Sequence, residues 1–247
     1  MSLPVAVLAG GLATRLRPLT EDVPKILIEI DGRPFAEHQL DLLQRWGVSE
    51  VVYCLGYRGE QVIAALGDGS DRHMRFTYVS DGPRLAGTGG ALRLALPFLG
   101  GAFFVMYGDS YLRCDFREVE REFRASGKPG LMTVFKNEGS WDRSNVACEG
   151  GRIVRYDKTS HESMQYIDYG LGILTPEAFA PWAGVDTPFD LSVVYQRLIE
   201  RDALAGFEVA ERFYEIGSIA GLEETQALLS QGSQGSQGSR GSQGSPQ

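Results

Sequence analysis

The feature that most constrains this 247-residue chain is an apolar segment that runs directly into a glycine-rich, cationic loop. Pro4 to Leu8 is predicted to be a strand, and Gly10 and Gly11 follow it almost at once. Glycines let the backbone approach a ligand closely and present its N–H groups to an anion such as phosphate. Arg15 lies inside the loop, and Lys25 follows ten residues later. Because arginine grips phosphate as a planar fork and lysine acts as a mobile point charge, the loop predicts a triphosphate cradle.

This loop matches neither of the common nucleotide-binding motifs. The chain contains no Gly-x-x-x-x-Gly-Lys-Ser/Thr run, and residues 10–15 lack the Gly-x-Gly-x-x-Gly spacing of dinucleotide-binding proteins. Two glycines after a strand are also common in ordinary turns. The arginine and the Pro24–Lys25 pair, at these spacings, favour the phosphate-binding interpretation.

Composition and charge limit the classes of partner. The net charge is −8, which disfavours nonspecific binding to nucleic acid or to an anionic membrane. The three cysteines form no Cys-x-x-Cys pair, so we expect no disulfide and no zinc site. No secretory signal or membrane-spanning stretch is apparent, and we therefore expect a cytoplasmic protein.

Strand and helix patterns alternate through the first half of the chain. The strands predicted there are Pro4–Leu8, Glu50–Leu55, Arg75–Val79, Ala102–Tyr107 and Gly130–Phe135, and the helices are Phe35–Trp46, Gly59–Leu66, Gly89–Leu96 and Arg117–Ser126. Such alternation predicts an α/β fold with a Rossmann-like, mostly parallel mixed sheet and helices on both faces. Ligands of these sheets bind at the carboxyl ends of the strands, where the glycine loop lies.

The second half has a different pattern. A β-hairpin is predicted over residues 145–156, followed by a strand over Tyr166 to Leu174 and helices over Leu191 to Arg201 and Ile219 to Leu229. We expect one domain, residues 1–229, with a first half of about 1–135 and a second half of about 136–229 that extends the same sheet. Residues 230–247 are Ser, Gln and Gly repeats, which predict a disordered tail.

Segment 8–20, LAGGLATRLRPLT, followed by Pro24 and Lys25, closely resembles the signature of the sugar-1-phosphate nucleotidylyltransferases. Ala13 stands where that family usually has glycine, and Ile26 where it has proline. Alanine tolerates positive φ poorly, so the loop either takes an ordinary φ at Ala13 or is strained there. The resemblance implies nucleotide binding by Leu8, Ala9, Gly10, Gly11, Ala13 and Thr14.

Two carboxylates are candidates for holding a metal ion. Gly108-Asp109 follows a buried strand and could be an ordinary turn, but the family has Gly-Asp here and places the aspartate on magnesium. Glu215, in Glu-Ile-Gly-Ser, stands where the family often has a second metal-binding aspartate; otherwise it is a solvated carboxylate at a strand end. The resemblance implies Mg²⁺ on Asp109 and Glu215, with Gly108 at the nucleotide.

Two further segments resemble substrate-binding motifs of the family. Gly87 and Thr88 open a predicted helix, where Thr88 could be the N-cap; the stretch is similar to the base pocket of heptose- and mannose-1-phosphate guanylyltransferases. Asp157-Lys158 matches the family's Glu-Lys pair at the sugar and its phosphate, or is a surface ion pair. The sugar-phosphate candidates are completed by Asn145, Tyr169 and Gly170, of which Tyr169 could equally belong to the core.

The reaction implied by the resemblance joins an NTP, with GTP favoured, to a sugar 1-phosphate and releases pyrophosphate. Arg15, Lys25 and Asp109 are the predicted catalytic residues. A non-catalytic sugar-nucleotide sensor remains an alternative, because Ala13, Asp157 and Glu215 depart from the family pattern. A cytidylyl- or uridylyltransferase for another acceptor such as phosphocholine is a second one, because Tyr156, Tyr166 and Tyr169 could enclose a quaternary ammonium. A homo-oligomer is left open.

Overall fold

The computed structural model describes residues 2–137, 139–159 and 164–237, with the backbone only for 232–237. Its strands are β1 Val5–Leu8, β2 Glu29–Ile30, β3 Arg33–Pro34, β4 Glu50–Leu55, β5 Arg75–Ser80, β6 Phe103–Tyr107, β7 Ser110–Tyr111, β8 Gly130–Lys136, β9 Val146–Glu149, β10 Arg152–Tyr156, β11 Tyr166–Leu174, β12 Leu204–Val209 and β13 Tyr214–Glu215. Its α-helices are α1 Phe35–Arg45, α2 Gly59–Leu66, α3 Gly87–Ala95, α4 Phe116–Ser126, α5 Leu191–Glu200 and α6 Ile219–Gln237.

The main sheet has nine strands, and its central path runs β10-β9-β11-β6-β1-β4-β5. Strands β6, β1, β4 and β5 are parallel to one another, whereas β11 is antiparallel to β6. Strand β8 pairs with β11, and β12 adds to β8 in parallel. The predicted α/β fold with a mixed, mostly parallel sheet is therefore confirmed.

Helices cover both faces of this sheet because its strands alternate their buried side chains between two cores. On β1, Val5 and Val7 join the core under α1, α2 and α4, whereas Ala6 joins the core under α3 and α5. Phe104 and Val105 of β6 divide in the same way between the two cores. Burial on both faces explains why these strands are continuously apolar in the sequence.

Several features differ from the sequence prediction. Strand β12 and the short β7–β13 ladder were not anticipated, and α3 begins two residues early, at Gly87. Helix α6 continues to Gln237 instead of ending at Leu229, where Leu229 packs near Ile30. The Ser230 hydroxyl donates to Asp31 Oδ1 at 2.8 Å, and residues 230–237, the start of the predicted tail, have a helical backbone. Residues 238–247 of the predicted tail lie outside the described residues.

No described helix is both long and apolar enough to span a membrane.

Candidate active site

A cleft opens at the carboxyl ends of the parallel strands, between the loop after β1, the first turn of α3 and the end of β6. Most of the predicted nucleotide and catalytic residues line it: Leu8, Ala9, Gly10, Gly11, Ala13, Lys25, Gly87, Thr88, Gly108 and Asp109. Thr14 and Arg15 begin a short 3₁₀ helix beside it, and Arg15 instead lines a second cleft together with Glu215. We call these the nucleotide cleft and the second cleft.

The glycines of the loop after β1, and Gly108 after β6, serve two different purposes. A Cβ on Gly10 would lie 3.0 Å from the backbone nitrogen of Gly56, and one on Gly108 would lie 2.9 Å from the carbonyl oxygen of Leu8. These two glycines therefore let neighbouring backbones pack closely. A Cβ on Gly11 would meet nothing within 4 Å. Only Gly11 leaves open space toward a ligand.

Ala13 adopts the left-handed conformation, with φ of 48° and ψ of 39°. Of the two possibilities considered from the sequence, strain at Ala13 is therefore the one that applies. The left-handed conformation costs an alanine about 1–2 kcal/mol. The Ala13 carbonyl accepts hydrogen bonds from the Thr20 hydroxyl at 2.8 Å and from the Leu16 amide at 3.1 Å. Because these bonds hold the turn, alanine retains the backbone shape that glycine would take without strain.

Lys25 and Asp109 form an ion pair at the edge of the nucleotide cleft. Lys25 Nζ lies 2.8 Å from Asp109 Oδ2, and 20% and 27% of the two side chains are exposed. Lys25 begins a 3₁₀ turn, and Asp109 follows the end of β6, so the pair joins elements 84 residues apart. A mobile cation and a hard oxygen ligand thus lie side by side.

Glu215 is held next to Asp109 by backbone pairing. Glu215 pairs with Ser110 in the β7–β13 ladder, and the Ile216 amide donates to the Asp109 carbonyl at 2.9 Å. Burial, followed by the negative charges of Asp109 and Asp142, raises the pKa of the Glu215 carboxyl. The site therefore concentrates negative charge that a cation would relieve.

Two carboxylates fit a magnesium ion that takes most of its ligands from water and substrate. Among the described residues, no group of three or more His, Cys, Asp or Glu side chains could hold a metal. Magnesium nonetheless takes one or two carboxylates and completes its shell with water and substrate phosphates. Asp109 and Glu215 are the residues that would hold it.

The glycines at the start of α3 pack against another segment of the chain. Gly87 and Thr88 line the nucleotide cleft, but a Cβ on Gly87 or Gly89 would collide with Phe189. The amides of Gly89 and Gly90 donate to the Phe189 carbonyl, at 3.0 and 3.3 Å. These glycines therefore accommodate the loop before α5, and their N–H groups are already bonded within the protein.

Thr88 is likewise not the N-cap of α3. Its hydroxyl donates to Asp190 Oδ2 at 2.9 Å and accepts from the Leu191 amide at 2.8 Å. The helix instead has Ala86 at its N-cap position, without a side-chain hydrogen bond. Thr88 thus joins the wall of the nucleotide cleft to the start of α5.

We expect Gly89→Ala to lower the free energy of unfolding by about 2 kcal/mol, because the new methyl group would overlap the Phe189 ring. Alanine is otherwise favoured in helices, so a net loss requires this collision. Urea unfolding measures it, with Gly101→Ala as control, since a Cβ there meets nothing within 4 Å. A variant as stable as the wild type would contradict this packing.

Lys158 is held near the cleft by several groups. Its Nζ lies 3.3 Å from Asp190 Oδ1 and 3.5 Å from the Tyr107 hydroxyl. It also lies 5.7 and 5.8 Å from the ring centroids of Tyr107 and Tyr156. Because Tyr107 lines the nucleotide cleft, Lys158 lies beside that cleft.

The other sugar-phosphate candidates have local structural roles. The Asp157 carboxylate accepts from the amide and hydroxyl of Thr159, at 2.9 and 2.8 Å, and pairs with Arg155 at 3.3 Å. Asn145 Oδ1 accepts from the Asp168 amide at 2.8 Å, and the Asn145 carbonyl accepts from the Asp157 amide. Asp157 therefore pairs with Arg155 and Lys158 with Asp190, in place of the Asp157–Lys158 pair considered from the sequence, and Asn145 links Asp168 of β11 to Asp157 after β10.

The structure corrects the assignment of Tyr169 to the sugar-phosphate site. Its ring is 1% exposed, packs edge-on against Phe213, and its hydroxyl accepts from the Arg113 amide at 3.2 Å. It belongs to the core and does not reach a sugar. Gly170, in contrast, has φ of 89°, and its α-carbon faces Ser110 and Tyr107 at the site.

Three site residues were missed in the sequence analysis. Tyr107 and Asp81 line the nucleotide cleft, and Asp190 pairs with Lys158. Asp168, which precedes Tyr169 and Gly170 in the predicted sugar segment, accepts a hydrogen bond from the Tyr156 hydroxyl at 2.8 Å, and burial raises its pKa. Only Asp190 has a visible sequence signal, since it precedes α5 as an N-cap.

The chain belongs to the nucleotidyl transferase family, because the model of that family matches residues 5–143, more than half of its 247 residues. It is 30% identical to mannose-1-phosphate guanyltransferase of Aspergillus fumigatus over 69% of this chain and 49% of that protein. It is 28% identical to N-acetylmuramate alpha-1-phosphate uridylyltransferase of Neisseria meningitidis over 90% and 96% of the two chains.

Among solved structures, a putative glucose-1-phosphate thymidylyltransferase of Bacillus anthracis has the same fold. Its TM-score is 0.80 at 21% identity, over 92% of this chain and 95% of that one. The chain spans about half the length of the Aspergillus guanyltransferases that it matches. The names of these three proteins give three different nucleotides, so the relatives alone do not identify the base.

Proposed function

We propose that this chain transfers a nucleotidyl group from an NTP to a sugar 1-phosphate, giving an NDP-sugar and pyrophosphate. The observation that carries the proposal is the Lys25–Asp109 pair, 2.8 Å apart, at the edge of a cleft formed by the glycine loop. Cys54 and Cys114 are buried free thiols, which fits the proposed cytoplasmic location.

An oxygen of the acceptor phosphate attacks the α-phosphorus, and the bond from that phosphorus to the oxygen bridging to the β-phosphorus breaks. Pyrophosphate leaves in line with the attacking oxygen. The protein contributes position and charge: Lys25 neutralises the α-phosphate, Arg15 holds the departing pyrophosphate, and Lys158 holds the acceptor phosphate. A magnesium ion on Asp109 and Glu215 would supply charge stabilisation between the two phosphates.

The two alternatives receive less support. Phosphocholine would need an open aromatic cage, but Tyr156 and Tyr169 are 2% and 1% exposed, and Lys158 already lies over Tyr156. The sensor hypothesis relied on departures from the family pattern. Ala13 keeps the left-handed turn, and Glu215 lies next to Asp109. The first departure therefore preserves the shape of the loop, and the second preserves a carboxylate beside Asp109.

Asp81 supports guanine as the base. Its side chain lines the nucleotide cleft, and burial raises the pKa of its carboxyl. One oxygen accepts from the Ala86 amide at 3.0 Å. A carboxylate only accepts hydrogen bonds, and guanine alone among the bases presents two adjacent donors, N1–H and the 2-amino group. Uracil and thymine would place carbonyl oxygens against it.

We therefore expect Asp81→Asn to reduce the preference for GTP over UTP by at least about tenfold. The amide keeps an acceptor for Ala86 and replaces one acceptor by a donor. The measurement is the ratio of kcat/KM values for the two nucleotides, with Asp71→Asn, an exposed residue on the Ser70–Arg72 turn, as control. An unchanged ratio would mean that Asp81 does not contact the base.

The proposed function is tested with the four NTPs against a panel of sugar 1-phosphates, read by pyrophosphate release in the presence of magnesium. We expect turnover with a sugar 1-phosphate and the highest kcat/KM with GTP. Preference for another base would contradict the assignment of guanine, but nucleotidyl transfer to a sugar 1-phosphate would still stand. Pyrophosphate release with no pair would contradict the reaction itself.

Glu215→Gln should lower turnover about tenfold or more and raise the magnesium concentration needed for half-maximal rate. Glutamine keeps the shape but removes the charge that attracts the metal ion. Glu215→Asp should keep substantial activity. A magnesium titration at saturating substrates measures both, with Glu120→Gln on α4 as control. Superimposable curves for wild type and Glu215→Gln would exclude Glu215 as a ligand.

A further inference from the structure

The second cleft includes Glu215 and so lies next to Asp109 of the nucleotide cleft. It is lined by Arg15 and Glu215 and also by Trp141, Arg212 and Glu224. Its volume is about 430 Å³, compared with about 240 Å³ for the nucleotide cleft. Arg15 and Glu215 have roles in the proposed mechanism, but the side chains around Trp141 do not.

Trp141 presents a rigid aromatic surface in this cleft. The residue is 46% exposed, yet Arg212 Cζ lies 3.4 Å from its ring centroid and 4.4 Å from that of Tyr214. Arg212 is in turn fixed to α6 by Glu224 at 2.6 Å. The Trp141 amide also donates to Asn137 Oδ1 at 3.2 Å. An exposed ring held this firmly is suited to stacking on a ligand.

The lining of the cleft around Trp141 is unsuited to a multiply charged anion. Among the described residues that line the cleft, the cations are Arg15, to which the proposed mechanism gives the pyrophosphate, and Arg212. Arg212 is already paired with Glu224, and Asp142 adds a further carboxylate to the lining. An uncharged hydroxylated ring meets no such repulsion there. The C–H face of a sugar ring packs on an aromatic ring, and its hydroxyls can donate to carboxylates.

A chain of contacts joins this cleft to the acceptor phosphate. Lys158 contacts Tyr107, and the α-carbon side of Gly170 faces both Tyr107 and Ser110. Ser110 is buried and is the register partner of Glu215, which lines the second cleft. Glu215 in turn lies next to Asp109, which lines the nucleotide cleft, so an acceptor bound where the two clefts adjoin can extend toward Trp141.

We propose that the second cleft is a saccharide subsite, in which Trp141 stacks on the part of the acceptor remote from its phosphate. The proposal rests on the proposed function, since it assigns a place to that acceptor. It predicts that acceptors with an additional ring or an uncharged polar substituent are used better than unsubstituted hexose 1-phosphates.

The test compares Trp141→Ala, Trp141→Phe and wild type, using the acceptor with the highest turnover in the pyrophosphate assay. We expect Trp141→Ala to raise the acceptor KM at least about tenfold, with the NTP KM and kcat within about twofold. Trp141→Phe should restore most of the binding. The control is Trp46→Phe, because Trp46 also lies under an arginine, Arg117, but outside both clefts.

Tryptophan fluorescence adds a measurement without turnover. Titration with mannose 1-phosphate and N-acetylglucosamine 1-phosphate, without nucleotide, should quench emission in wild type and Trp46→Phe but not in Trp141→Phe. Unchanged acceptor KM in Trp141→Ala, or a change only in inhibition by pyrophosphate, would overturn the subsite. If no NTP and acceptor pair is turned over, the proposed function fails, and the quenching alone then decides whether a saccharide binds at Trp141.

Discussion

Replacing Lys25 with alanine is expected to lower kcat at least about a hundredfold, because a fixed cation that meets charge developing in a transition state contributes about 3 kcal/mol. Lys25 lies 2.8 Å from Asp109 and lines the nucleotide cleft, so its ammonium is in place before substrates arrive. The partly exposed pair contributes little to folding. The melting temperature should therefore stay close to that of the wild type.

The measurement is pyrophosphate release at saturating substrates, together with thermal unfolding. Lys128→Ala is the matched control, since Lys128 pairs with Asp202 at 3.0 Å and lines neither cleft. Turnover of Lys25→Ala near the wild-type value would remove Lys25 from the mechanism. A large drop in melting temperature would instead assign the pair to stability.

Asp109→Asn is expected to have an effect of similar size, on the order of a hundredfold in kcat. Asparagine keeps the shape of the side chain and can still accept a hydrogen bond from Lys25. It removes the charge that would hold magnesium and leaves Glu215 as the remaining carboxylate on the β7–β13 side of the site. Its loss should therefore exceed that of Glu215→Gln, because Asp109 also orients Lys25.

A magnesium titration of Asp109→Asn gives the second measurement, and the rate should stay low even at high magnesium. Asp115→Asn is the control: Asp115 caps α4 and pairs with Arg117 at 3.1 Å, and it lines neither cleft. Full recovery of kcat at high magnesium would mean that Asp109 only raises the affinity of the protein for magnesium. Wild-type behaviour at every concentration would contradict its place at the metal.

Local sequence patterns predicted the elements of the sheet well where both faces are buried. Glu50–Leu55 and Tyr166–Leu174 have the predicted bounds. In the first of them, the continuous apolar run after Glu50 marks the strand. β12, Leu204–Val209, was missed because its residues are only partly buried and carry no clear alternation. Pairing with β8, more than 60 residues earlier in the chain, decides its structure.

The site residues were predictable where a single short motif contains the groups proposed to bind phosphate or metal. The glycine loop, Lys25 and Asp109 could be read directly, since they follow adjacent strands that end at one edge. Tyr169 could not, because the register of β11 against β8 shifts between Asp168 and Gly172. That irregularity, with Gly170 at positive φ, turns the ring into the core.

Contacts between distant loops account for the rest. Gly87 and Gly89, at the start of α3, pack against Phe189, which lies about a hundred residues later in the chain. The second cleft joins the loop around Trp141 to Arg212 and α6. No local pattern in the sequence reports such pairings, since they depend on how the two halves of the sheet fold together.

The most direct test of nucleotidyl transfer follows the phosphorus atoms of the nucleotide. The protein is incubated with magnesium, the preferred sugar 1-phosphate and an NTP labelled with ³²P at either the α or the γ position. The account predicts that the α label appears in a phosphatase-resistant NDP-sugar and the γ label in pyrophosphate, in equal amounts, and that both products nearly vanish with Lys25→Ala. Transfer of the γ label to the sugar phosphate, or release of the α label as free nucleotide without an NDP-sugar, would contradict it.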